Sequence, residues 1–297
     1  MRRIEGFLAV VDTGTVTAAA ERLHLAQPAL SRQLKALEGE FRLVLFEPQG
    51  SRLVLTAAGR ALVGPARRLV SEAAAFDGAA AALRTGRVEE LVVATTSASL
   101  RSFLAPFIAT TGPGDPRLTT REVGHFAMTD ALRHGCDLAI APTVPDGSLR
   151  TAPLGRVPVT AVVAGDHPWA REGVTEVPLS VLAGEPVIVA SRHSASRWMV
   201  DDALSRAGIA VGPVTECDDG QTVLALAAAG RGIGFSTDRP RYGVHAVLVR
   251  DDTGGGRTLA LPLHAAWLPG HFAVATIAGL VERLRDFLAE QDITLPE

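Results

Sequence analysis

Between Phe7 and Thr56 the sequence carries short helical patterns separated by a tight break, the last of them opened by a proline. Few folds accept that arrangement. Ile4, Phe7, Leu8 and Val11 recur at three- and four-residue steps, which gives a first helix one apolar face. Asp12-Thr13-Gly14 ends it, and Thr15 or Thr17 is placed to cap a second helix whose Ala19, Ala20 and Leu23 turn inward. His24-Leu25-Ala26 makes the turn. Pro28 then suits the first position of a new helix, where a missing amide hydrogen costs nothing. Leu30, Leu34 and Leu37 point to the core and leave Gln27, Ala29, Ser31, Arg32 and Lys35 outside. The pattern predicts a helix-turn-helix, whose second helix fits the major groove of DNA.

The outward residues have suitable chemistry for a duplex. Gln27 matches an adenine edge, Ala29 a thymine methyl, and Arg32 guanine or phosphate. Ser31 and Lys35 are better phosphate partners than base readers. The alternative is a solvated face on an ordinary helix pair; turn, proline, spacing and polar set together argue against it. Leu43, Leu45, Leu53 and Leu55 alternate around Pro48-Gln49-Gly50-Ser51, which predicts a two-stranded hairpin with Ser51 and Arg52 at its tip. The expected DNA-contacting set is Thr17, Gln27, Pro28, Ala29, Ser31, Arg32 and Lys35, with Ser51 and Arg52 as a wing. Total charge does not announce this role. Residues 1–60 hold eight basic and six acidic side chains, so placement rather than sum carries the reading.

The segment FLAVVDTGTVTAAAERLHLAQPALSRQLKALEGEF, followed by LVLFEPQGSRLVLTAAGRALV, resembles the LysR-type transcriptional regulators, densely over the first sixty residues. That resemblance implies a winged helix-turn-helix joined by a long helix to a ligand-sensing domain. It also implies a bacterial homodimer or homotetramer acting on double-stranded promoter DNA. Arg42, Val44 and Pro48 depart from the family pattern at positions of a glycine, a basic residue and a wing arginine, which removes phosphate contacts. Ala26 stands where a capping serine or threonine is common, leaving Gln27 as a weaker cap.

Residues 57–87 connect the two parts. Leu62, Leu69, Phe76 and Leu83 fall seven apart, with Ala66, Ala73 and Ala80 four after the first three. This is an apolar heptad seam suited to pairing with a second copy. Gly64-Pro65 is a candidate kink, and Thr85-Gly86 a stop.

From Leu91 the pattern becomes α/β. Strands are expected at 91–94, 137–141, 159–163, 187–190 and 234–236, with helices through Leu100–Phe107, near 129–133, at 198–207 and around 225–230. Such alternation implies parallel sheets, and some two hundred residues favour two lobes. The resemblance orders them, as in periplasmic solute-binding proteins. The expected domains are 1–58 (winged helix-turn-helix), 59–88 (linker helix) and 89–297 (effector domain), with lobe one at 91–160 and 265–297 and lobe two at 161–264. A ligand would lie between strand ends and helix starts. Thr96, Ser97 and Ser99 follow one strand, Ser191 and Arg192 another, and the resemblance adds His125. Arg192 or Arg197 suits a carboxylate, so a small polar effector, anionic by preference, is expected.

Enzymatic readings gain little. The eight histidines show no paired metal spacing, there is no GxSxG elbow, and Gly230-Arg231-Gly232-Ile233-Gly234 follows a helix instead of opening one. No metal or cofactor is expected. Cys136 and Cys217 stand eighty-one residues apart, and a reduced, buried pair is the ordinary state of such cysteines in the cytosol. No charged-then-apolar leader and no apolar run of membrane length appear, so a cytoplasmic protein without membrane partners is expected. Three readings stand: a ligand-responsive regulator, a small-molecule binding protein with a vestigial DNA head, and an α/β enzyme.

Overall fold

The computed structural model describes residues 1–49, 52–142, 147–252 and 255–295. The chain divides into two compact units, Met1–Gly86 with Arg133–Gly135, and Arg87–Leu132 with Cys136–Glu297.

In the first unit, helix α1 (Arg2–Thr13) buries Phe7, Leu8, Ala9 and Val10 and stops at Gly14, whose φ of 74° only a residue without Cβ adopts freely. Thr15 caps α2 (Val16–Arg22) by accepting a hydrogen bond from the Ala18 amide at 3.2 Å. Helix α3 (Gln27–Phe41) buries Leu30, Leu34 and Leu37. Its N-cap is Ala26, which offers no side-chain bond; Gln27 is the first helical residue, and Pro28 takes the second position rather than the expected first. Both positions lie among the amides that have no intrahelical partner, so the proline still costs nothing. Strands β1 (Phe46–Gln49) and β2 (Arg52–Leu55) form the antiparallel hairpin, in the register Phe46↔Leu55 and Pro48↔Leu53. The hairpin is shorter than the leucine alternation suggests. Leu43 and Leu45 precede β1: Leu45 is buried in the helical core and Leu43 stays exposed.

Helix α4 (Ala57–Thr85) starts at Thr56, whose hydroxyl accepts from the Gly59 amide at 2.9 Å, and runs without interruption past Pro65 to Gly86. Its first turns belong to the helical core: Ala66 is buried, and Leu62, Val63 and Val70 pack on it. Beyond that core the seam is bare. Leu69, Phe76 and Leu83 are 49%, 74% and 88% exposed.

The second unit contains two sheets, each with its own core. The first runs β4-β3-β5-β14-β6, from β3 (Glu90–Thr95), β4 (Arg117–Glu122), β5 (Leu138–Ala141), β6 (Arg150–Pro158) and β14 (Ala260–Trp267). The second runs β10-β9-β11-β7-β12-β13, from β7 (Thr160–Val163), β9 (Val187–Ala190), β10 (Val214–Cys217), β11 (Ile233–Ser236), β12 (His245–Asp251) and β13 (Arg257–Thr258). Strand β8 (Glu176–Pro178) pairs with β12. The chain thus leaves the first lobe after β6 and returns with β14.

Two expectations change here. The sheets are mixed rather than parallel: β3 pairs in parallel with β4 and β5, but β14 is antiparallel to β5 and β6, and β7 to β11 and β12. Parallel neighbours need a crossover element, and β14 re-enters directly from the second sheet without one. The return to lobe one also starts earlier than residue 265, because β14 pairs with β6 from Ala260 onward.

Candidate nucleic-acid interface and ligand cavity

The helix-turn-helix presents its candidate contacts outward. Thr17, Gln27, Pro28, Arg32 and Lys35 are exposed, and Ala29 and Ser31 are half-buried beside Leu30. Burial of Leu30, Leu34 and Leu37 forces this, since the same helix cannot turn both faces inward. The structure therefore groups all seven on the outer surface of α2 and α3. Ser51 and the Arg52 side chain lie outside the described residues.

Sequence reading missed the residue that sets the hairpin against α3. The Glu38 carboxylate accepts from the Leu45 amide at 2.7 Å and the Phe46 amide at 3.4 Å, and so ties the last turns of α3 to the base of β1. The Leu45 bond is short and the stronger of the two; the Phe46 bond is long and contributes less. Asp12 has a matching role at the other side, pairing with Arg22 at 3.2 Å and Arg67 at 2.5 Å.

In the second unit a cavity of about 360 Å³ opens between the two sheets, at the ends of β3, β4, β9 and β11. Ser97, Ser99, Arg101, Ser102, Glu122 and His125 line it from the first lobe. Ser191, Asp218, Asp219, Ser236 and Asp238 line it from the second. Its size is that of a small-molecule site.

The first-lobe wall begins at Thr96, which caps the following helix by accepting from the Ser99 amide at 3.2 Å and also donates to Ser99 Oγ at 3.1 Å. Ser97 Oγ donates to Glu122 on β4. Residues Leu100–Leu104 then form a π-helical turn. Such a turn widens the helix by one residue and often marks a functional position. Here it buries Phe103 and Leu104 while Arg101 and Ser102 join the cavity lining. Arg101 crosses to the second lobe, 3.2 Å from Asp219 and 3.3 Å from Asp238.

Asp238 is the polar centre of the far wall. Only 5% exposed, it accepts from Gln221 Nε2 at 2.9 Å and Ser102 Oγ at 3.4 Å besides facing Arg101. It was not among the expected site residues, yet Thr237-Asp238 follows β11 just as Thr96-Ser97 follows β3. The strand-end rule that selected the first run selects the second.

Of the expected effector residues, Thr96, Ser97, Ser99, His125 and Ser191 line the cavity. Arg192 is exposed and is not part of the lining. Arg197 is buried but committed to Asp201 at 2.7 Å, Glu216 at 3.1 Å and the Ala190 carbonyl at 3.3 Å, so it ties its helix to β9 and β10. His125 is 8% exposed, and burial pushes its imidazole below the ordinary value while the His193 backbone pulls weakly the other way. Cys136 and Cys217 are buried free thiols whose pKa burial raises, which favours the unreactive form. Gly230 and Gly232 make the helix-to-strand turn before β11. Among the described residues no helix is long and apolar enough to cross a membrane, and no three His, Cys, Asp or Glu gather as metal ligands.

Comparison with known proteins assigns both units. Residues 1–60 match the family model for the bacterial regulatory helix-turn-helix protein, lysR family, and residues 84–289 match the LysR substrate binding domain. The chain is 30% identical over 242 residues to the HTH-type transcriptional regulator CbbR of Sinorhizobium medicae (strain WSM419), covering 79% of this chain and 76% of that protein. It is 28% identical over 247 residues to the uncharacterized HTH-type transcriptional regulator YnfL of Escherichia coli (strain K12), covering 78% and 80%. The crystal structure of full-length CbnR complexed with its target DNA superposes with a TM-score of 0.72 at 22% identity, over 95% of this chain and 99% of that one. At that identity the likeness speaks for the fold. An outward polar face on a helix-turn-helix, a polar cavity between two lobes, and family matches over both units lead to one conclusion: the chain belongs to the LysR family and is a LysR-type transcriptional regulator, with a helix-turn-helix DNA-binding part and a substrate-binding domain.

Proposed function

We propose that this regulator reads promoter DNA through Thr17, Gln27, Pro28, Ala29, Ser31, Arg32 and Lys35, and that a small molecule in the interlobe cavity controls it. The observation that carries the reading is the exposed polar face of α3 over a fully buried leucine row, in a chain whose second unit holds a solvent-reachable polar cavity. Arg32 supplies the planar donor fork that pairs with guanine, and Gln27 the amide that pairs with adenine. Lys35 and Ser31 hold the phosphates and set the register. The functional boundaries that fit this are a head over 1–58, a linker over 59–88 and an effector domain over 89–297.

The bare seam on α4 supports a homo-oligomer. Leu69, Phe76 and Leu83 stand in water on one copy, and a second copy would cover them and bring two heads to two half-sites. An effector then acts by binding one arrangement of the lobes better than another; its differential affinity is all the energy available to shift the DNA-bound population. The chain acts by binding, not by catalysis, and works in the cytoplasm where the DNA is. The CbnR structure with target DNA is a precedent for the first part of this reading.

An Arg32→Ala variant tests it. Specific operator affinity is expected to fall by about 1–3 kcal/mol, with the melting transition unchanged because Arg32 is exposed. Footprinting that leaves both affinity and base preference intact would show that α3 does not read the groove.

A further inference from the structure

The hydroxyls after β3 suggest an anion site when the sequence is read alone. The structure gives their capacity to the protein itself. Thr96 caps its own helix, and Ser97 donates to the Glu122 carboxylate, so a negative charge from this chain already stands at that turn. The arginines proposed for a ligand carboxylate are also elsewhere: Arg192 is outside the lining and Arg197 is held by Asp201 and Glu216.

What remains around the cavity is acidic. Glu122, Asp218, Asp219 and Asp238 line it against one guanidinium, Arg101, and that guanidinium is placed between Asp219 and Asp238. Among the described residues neither Glu122 nor Asp218 is in an ion pair. Two imidazoles, His125 and His193, also face the space; even two positive imidazoles would not reverse the sign of the wall. Serine and threonine hydroxyls fill most of the other polar positions, from Ser99 and Ser102 on one side to Ser191, Ser194, Ser196, Ser236 and Thr237 on the other.

We propose that the interlobe cavity is selective for a small organic cation, a protonated amine with neutral hydrogen-bonding groups, whose ammonium is held by Glu122 of the first lobe and Asp218 of the second. This rests on the reading that the cavity is the effector site. Glu122 and Asp218 are both exposed, so their attraction for a cation is the modest one of charges near water, and an incoming carboxylate meets like charge on both sides. Because the two carboxylates belong to different lobes, one ammonium between them also favours the closed arrangement over an open one.

The test is isothermal titration of the full-length protein with 1,4-diaminobutane and 2-aminoethanol, against benzoate and succinate of similar size, at millimolar concentrations. Three proteins are compared: the parent, Glu122→Gln/Asp218→Asn, and Ser191→Trp, which fills the cavity. Melting curves confirm that each is folded. The expected result is amine binding by the parent, weakened about tenfold or more in the double amide variant and lost in Ser191→Trp. Binding of the acids alone, abolished by Ser191→Trp, would overturn the cation proposal and leave the cavity as the effector site. Amine binding that survives in both variants would place the site elsewhere and overturn both. Absence of any amine binding by the parent overturns the proposal as well.

Discussion

The same substitution at two helical glycines of the DNA-binding unit is expected to change stability in opposite directions. Gly59 lies in the first turn of α4 against the base of the hairpin, where an added Cβ would overlap the Leu45 carbonyl oxygen and come within 2.8 Å of Leu55 Cδ2. Gly39, in α3, has nothing within 4 Å of such a Cβ. In Gly59→Ala the hairpin base must move. That overpacking costs about 1–3 kcal/mol. The displaced Leu45 carbonyl also accepts from the Thr56 amide at 3.0 Å, a bond whose loss adds about 1 kcal/mol. Better helix propensity returns about 1 kcal/mol. The net is a loss of about 1–3 kcal/mol, whereas Gly39→Ala should gain about 0.5–1 kcal/mol. Urea unfolding followed by far-UV circular dichroism measures both. Trp169, Trp198 and Trp267 all lie in the second unit, so tryptophan fluorescence follows that unit separately. Operator affinity should fall in Gly59→Ala only, because the wing shifts while α3 does not. If Gly59→Ala proves as stable as Gly39→Ala, the close approach of α4 to the hairpin is not a packing constraint and the reasoning fails.

Two further outcomes follow from exposure and burial. Phe76→Asp should reduce the particle mass in sedimentation to that of one chain without lowering the melting temperature; burying Phe76 in a seam contributes about 1.5–3 kcal/mol per copy, and the residue is 74% exposed in the single chain. An assembly of unchanged mass would mean that the seam is not its interface. Burial lowers the folded-state pKa of His125 and His264 below their ordinary 6.5, so their unfolded forms take up protons first. The stability they contribute is present above that value and is lost as pH falls below it through the lowered folded-state values, which predicts a melting temperature that declines as pH falls below about 6.5. His125→Gln/His264→Gln should flatten that decline, and an unaltered slope would refute the assignment.

The helical half was legible because its physics is local. Thr15, Gly14 and the buried row Leu30, Leu34 and Leu37 are read from spacing and capping alone, and the heptad of α4 shows its unburied end in Leu69, Phe76 and Leu83. The hairpin length was not legible, because Leu45 alternates like a strand residue but is claimed by the helical core and by Glu38. In the second unit strands at 138–141, 187–190 and 233–236 appear as apolar runs, while β4 (Arg117–Glu122) is largely polar and exposed and gives no such signal. The antiparallel return of β14 depends on chain routing between the lobes, which periodicity does not encode. The cavity divides in the same way. Strand-end hydroxyls were found by position, but which arginine is spent on a neighbour and which faces the ligand depends on partners from distant segments. Arg197, expected at the ligand, is held by Asp201 and Glu216, whereas Arg101, which the sequence did not single out, lines the cavity between Asp219 and Asp238.

The central claim is that the chain binds specific DNA, and it is tested most directly with the DNA upstream of its own coding sequence. Purified protein is titrated onto that DNA against scrambled competitor at two salt concentrations. The account predicts tight binding that survives the competitor and weakens, without vanishing, as salt rises, since base contacts persist when phosphate contacts are screened. Binding lost equally to competitor at both salt concentrations would contradict it and leave a small-molecule binding protein with an idle DNA-binding head.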